Sequence, residues 1–173
     1  MIAIDTQILV YAHRSDSPWH DVARERIAEL AASGARWAIP LHCLVEFYAL
    51  VTNPRLFKPP AASTSDQAID QIDAWLEAPT LSVLGDDAAS WPIVRDLLGL
   101  GRIAGGGAHD ARIAAVCIQH GVSELWTNDR DFLKFPVLRV RNPLVDIAPS
   151  RAEEPRGRYV TRSRSAVRAR RSG

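Results

Sequence analysis

Apolar and polar positions change period many times along this chain, and each change marks an element. A short apolar run, Ile2 to Ile4, reads as a buried strand ending on an acid, Asp5, and a helix is predicted from Thr6 through Tyr11. Trp19 to Ala32 repeats at helical spacing, with Val22, Ala23, Ile27 and Leu30 on one face and Arg24, Glu25, Arg26 and Glu29 off it. Trp37 to Pro40 reads as a second strand. His42 to Thr52 is apolar nearly all round, which predicts a buried helix, and Glu46 is its one acid. Asn53 to Ser65 is rich in Pro and turn formers and reads as a loop. Asp66 to Glu77 is a further amphipathic helix with Ile69, Ile72, Trp75 and Leu76 inward, followed by a strand, Leu81 to Leu84. Asp87 to Leu98 reads as a helix that admits Pro92 in its first turns.

Five glycines between positions 99 and 107 form a flexible connection into a helix that opens near Asp110. That helix carries Ile113, Ala114, Val116, Cys117 and Ile118, and Gly121 supplies its stop. Glu124 to Thr127 reads as a strand that delivers Asp129 and Asp131; Pro136 to Val140 is a last strand and 142–147 a closing segment. Short strands alternating with helices predict an α/β fold with a mainly parallel central sheet. The periodicity stops near Pro149, so the chain divides into one domain, residues 1–148, and a tail, 149–173, whose composition predicts disorder.

Composition changes this picture in two places. A chain of 173 residues, 47% hydrophobic and 24% charged, supports one soluble domain with a sizeable core. No run is long and apolar enough for a membrane span, and the N-terminus lacks the features of a secretory signal. Cys43 and Cys117 sit in apolar helical contexts and read as reduced, buried thiols, which fits a cytoplasmic protein. The five tryptophans read as core. The net charge of +1 conceals an asymmetry: from Arg151 onward eight Arg face two Glu, a balance of +6, leaving about −5 on residues 1–150. The tail either attracts RNA phosphates or is a solvated extension.

Four acids stand beside apolar sequence: Asp5 after the first strand, Glu46 in an apolar helix, Asp110 at a helix start and Asp129 after a late strand. Two of them have an ordinary reading as well, Asp5 as a helix cap and Glu46 as the partner of a base such as Arg55 or as a side chain that snorkels outward. If they converge, like charges that close demand a counter-cation. Oxygen-only ligands select Mg²⁺ or Mn²⁺ over zinc. Such a site suits hydrolysis of a phosphodiester. Zinc spacing, a GxSxG nucleophile and a P-loop are all absent from the sequence.

The order Asp5-Thr6, Val45-Glu46-Phe47, His-Asp-Ala-Arg-Ile-Ala-Ala at 109–115 and Thr-Asn-Asp-Arg-Asp-Phe at 127–132 resembles the PIN-domain ribonucleases, nearest to VapC-type toxins of toxin–antitoxin pairs. The resemblance covers roughly residues 1 to 147. It implies a three-layer α/β/α fold and a Mg²⁺-dependent endoribonuclease, with Mn²⁺ as a substitute, that hydrolyses RNA with metal-activated water. Asp5 and Asp110 would be the principal metal ligands, with Glu46 and Asp129 completing the catalytic cluster; Thr127 and Asp131 would hold the Asp129 turn. It also implies a homodimer and a cognate antitoxin protein. Gln7 departs from the Asn or Ser usual in the family two positions after the first Asp, which leaves a nuclease-inactive module that binds RNA or a partner protein as the alternative.

Overall fold

The computed structural model describes residues 1–57 and 61–145; the tail from 149, and the disorder expected of it, lie outside the described residues. Five strands, β1 (Ile2–Ile4), β2 (Trp37–Pro40), β3 (Leu81–Leu84), β4 (Glu124–Trp126) and β5 (Val140–Arg141), form one parallel sheet in the order β3-β2-β1-β4-β5. The helices are α1 (Thr6–His13), α2 (His20–Ala32), α3 (Leu41–Val51), α4 (Ser65–Leu76), α5 (Ser90–Leu100) and α6 (Gly107–Gln119). The chain steps outward from β1 to β2 to β3 and then reverses across the sheet to β4. Right-handed crossovers therefore set α1–α4 on one face and α5–α6 on the other. The contacts agree: α1 packs on α2 and α3, α3 on α4, and α5 on α6. This is the expected three-layer α/β/α arrangement.

The reversal leaves a crevice between β1 and β4 at the C-terminal edge of the sheet, the position where open α/β sheets hold ligands. Trp37, Phe47, Phe132 and Phe135 are the largest fully buried side chains of the core. Two helix boundaries are set by clear local signals. A Thr64–Gln67 capping box opens α4. α6 ends in a Schellman motif: the Val122 N–H donates to the Cys117 carbonyl and that of Gly121 to Ile118, with Gly121 at φ +65°. That sharp stop turns the chain straight into β4.

Several expectations are corrected. α3 is not buried all round, because Leu41 and Val45 are 50% and 60% exposed while Cys43, Leu44, Phe47 and Val51 face the core. α4 is rotated from the expected facing: Ala68 and Trp75 are buried, and Ile69 and Leu76 are exposed. Trp91 is 61% exposed at the start of α5, whereas Trp37, Trp75 and Trp126 are core and Trp19 packs partly buried against it. The last strand is two residues long and lies at Val140–Arg141. Pro136 has no N–H for a ladder, and a 3-10 turn over Arg130–Lys134 with a Leu138-to-Phe135 turn consumes the preceding residues.

Candidate functional site

The register of the two central strands assembles the first half of the site. β1 pairs with β4 so that Ile4 lies beside Trp126, and the Asp5 N–H donates to the Trp126 carbonyl at 3.0 Å. Asp5 and Thr127 therefore leave adjacent strands side by side. Thr127 Oγ1 donates to Asp5 Oδ2 at 2.7 Å and accepts from the Asp129 N–H at 3.0 Å. Asp129 Oδ1 in turn accepts from the Asp131 N–H at 2.8 Å, capping the 3-10 turn. Asp131 supports the turn through its main chain, and its side chain pairs with Lys134 at 2.9 Å. Asn128 Nδ2 ties the same turn to the Tyr11 hydroxyl at 3.1 Å.

The second half comes from helices. Thr6, the first residue of α1, sends Oγ1 to Glu46 Oε2 at 2.7 Å, fixing the α3 carboxylate beside Asp5. Among the described residues no basic side chain pairs with Glu46. Asp110 sits in the first turn of α6. Its carboxyl lies within electrostatic reach of Asp129, Asp5, Asp131 and Glu46.

Charge in that pocket is poorly tolerated. Asp5 is only 4% exposed, and its carboxyl is pushed up to about 6, chiefly by burial. The bonds from Thr127 and Thr6 oppose the rise, while Glu46 and Asp129 add to it. Burial is also the largest cause of the rise of Asp110 to about 7, followed by its acidic neighbours. Cys43 lies 3.8 Å from Asp5 Oδ1, and burial lifts its thiol well above the usual range; Cys117 rises to about 12, so neither is a nucleophile.

The donor set, carboxylates with Thr hydroxyls behind them, fits a hard divalent cation. Among the described residues no three His, Cys, Asp or Glu side chains are gathered closely enough to hold an ion as they stand. Thr127→Val keeps the shape of the side chain but removes the donor to Asp5 and the acceptor for Asp129. It is expected to destabilise the protein by about 1–3 kcal/mol, measured by guanidinium unfolding.

Outside the four acids the structure gives His109, which the sequence offers as a substrate contact or a packing residue beside Asp110, partners that sequence reading missed: His42, Arg112 and Asp86. His42, one turn before Glu46 on α3, stacks with His109, and Arg112 joins both α6 and α3 to Asp86 after β3. Of these three partners, only Arg112 had a signal in the sequence, its proximity to Asp110.

The PIN-domain family model matches residues 2–138. Ribonuclease VapC48 of Mycobacterium tuberculosis is 28% identical over 139 residues, covering 80% of this chain and 94% of its own. VapC ribonuclease Mb2897 of Mycobacterium bovis is 33% identical over 144 residues, 83% of this chain and 96% of its own. Among solved structures, VapBC2 from Rickettsia felis bound to a promoter DNA fragment aligns with a TM-score of 0.60 at 24% identity, over 82% of this chain and 98% of the other. The sarcin–ricin loop cleaving toxin VapC20 of M. tuberculosis aligns with a TM-score of 0.58 at 17% identity, over 77% and 93%.

Proposed function

Because this chain belongs to the PIN-domain family, and within it to the VapC ribonucleases, we propose that it is the toxin of a VapBC-type pair, an endoribonuclease whose activity requires Mg²⁺. What supports the reading is that Thr127 bridges Asp5 to Asp129, Thr6 holds Glu46 at the end of the same strand, and the Asp110 carboxyl feels all three charges where the strand order reverses. Asp5 and Asp110 would hold the ion, and Glu46 and Asp129 would complete the cluster. When bound, a divalent cation there neutralises charge on the scissile phosphate and makes a water more acidic. The chain's own work is positional. Thr127 fixes Asp5, Thr6 fixes Glu46, and the Asp131 N–H fixes Asp129. Burial leaves the Asp5 carboxylate poorly hydrated, so a cation contact there would be strong.

A cognate antitoxin that covers the acidic pocket, a homodimeric assembly and a cytoplasmic setting belong to the same proposal. No helix among the described residues is long and apolar enough to cross a membrane. The test is incubation of the purified chain with single-stranded and structured RNA, with Mg²⁺ or EDTA. Discrete fragments bearing 5′-phosphate and 3′-hydroxyl ends, formed only with Mg²⁺, are the expected result. Binding without cleavage in both Mg²⁺ and Mn²⁺ would move the chain to the nuclease-inactive alternative.

A further inference from the structure

The His42–His109 pair lies on the same edge of the sheet as the four acids and extends the site away from them. His42 follows β2, Asp86 follows β3, and His109 and Arg112 occupy the first turns of α6. In the strand order β3-β2-β1-β4 these residues carry the site outward from the β1/β4 crevice toward β2 and β3. The two imidazole rings are nearly parallel, 10° apart in plane with centroids at 5.6 Å, an offset stack. Arg112 Nη1 lies 3.2 Å from His42 Nδ1. A guanidinium only donates, so Nδ1 accepts and the His42 ring carries its proton on Nε2. Arg112 is itself held by a two-pronged bridge to Asp86, Nε to Oδ2 at 2.8 Å and Nη2 to Oδ1 at 2.9 Å.

The β3–α5 loop is latched to the far end of α6 as well. His120 Nε2 lies 2.9 Å from the Gly85 carbonyl, and Gln119 Nε2 donates to Asp87 at 3.1 Å. His42 is thus fixed in orientation from behind, half-buried, while His109 rests on it and stays exposed. An exposed aromatic ring backed by a second, pinned ring, one residue from an acid of the proposed cleavage site, is built like a stacking surface.

We propose that His109, backed by His42, is a stacking platform for a nucleobase flanking the scissile phosphate, so that the substrate is an RNA strand unpaired at that nucleotide. The proposal rests on the ribonuclease reading. His109 touches substrate; His42, Arg112 and Asp86 are positioning residues. Base–aromatic stacking tolerates any base, so the platform places the strand and leaves sequence choice to other contacts.

The experiment uses a single-stranded oligoribonucleotide that the wild-type chain cleaves, with 2-aminopurine on either side of the cut. Fluorescence quenching and affinity are read on the full chain carrying Asp110→Asn, and kcat and KM on the chain with Asp110 intact. His109→Ala is expected to lower affinity by about 5- to 100-fold and to abolish the quenching at one flanking position, with the melting temperature held. His109→Phe should restore both, and His109→Lys, with charge but no ring, should not. Wild-type cleavage with unchanged affinity and quenching in His109→Ala would overturn the platform alone, as would equal rescue by Lys. Failure of the wild type to cut any RNA would overturn the ribonuclease reading and the platform with it.

Discussion

Asp110→Asn is expected to lower RNA cleavage by about a thousandfold or more, the scale of a removed electrostatic stabiliser, while making the metal-free protein more stable at pH 8. The two effects share a cause. Asp110 ionises only near pH 7 because burial and then Asp129, Asp5, Asp131 and Glu46 oppose its charge. Asparagine keeps the size of the side chain and removes the charge. Discounted for partial solvent exposure, holding Asp110 ionised costs about 2 kcal/mol at pH 8. For a domain of this size that is a rise in Tm of roughly 4–8 °C. Scanning calorimetry in EDTA and an RNA cleavage assay on the same preparation read both halves. A variant that loses stability along with activity would place Asp110 in the fold rather than in the site.

The metal-free protein is also expected to lose stability as pH rises from about 4 to 7. Asp5 and Asp110 titrate near 6 and 7 when folded, against 3.8 for an unperturbed aspartate. Through that window the folded chain keeps protons that the unfolded chain releases, so unfolding is favoured as pH increases. Below the unfolded value both states are protonated and the effect vanishes; above pH 7 it is complete. For the buried Asp5 alone it amounts to about 3 kcal/mol. His13 and His42, held below the usual imidazole range chiefly by burial, act in the opposite sense as pH falls below 6.5. The carboxyl contribution is therefore read as the difference between wild type and Asp110→Asn in guanidinium unfolding at pH 5 and pH 8. Saturating Mg²⁺ should recover stability at pH 8 and far less at pH 5, because protons compete for the same oxygens. Greater recovery at pH 5 would contradict the assignment.

The sheet, and the candidacy of the four acids, were legible because each acid stands beside an apolar run. Asp5 ends a buried strand, Glu46 is the one acid of an apolar helix, and Gly121 announces the stop that carries the chain from Asp110 to Asp129. Errors fell where tertiary packing, not local pattern, chooses the buried face. Leu41 and Val45 look like core in sequence, yet α3 turns them outward to bury Cys43 and Phe47. Pro136 to Val140 has a strand's apolar content, but its ladder begins only after the turn that seats Phe132 and Phe135. Arg112 and Asp86 were invisible as partners because they are 26 residues apart, joined only when the β3 loop meets α6. The same holds for His42 and His109.

Whether the four carboxylates make one divalent-cation site is read by calorimetric titration of Mn²⁺ into metal-free wild-type protein and Asp110→Asn at pH 7, repeated in two buffers of different ionisation enthalpy. Saturable binding by the wild type with release of protons from the carboxyl cluster, and loss of both in the variant, are expected. Absence of binding by the wild type, or equal binding with equal proton release by Asp110→Asn, would contradict such a site.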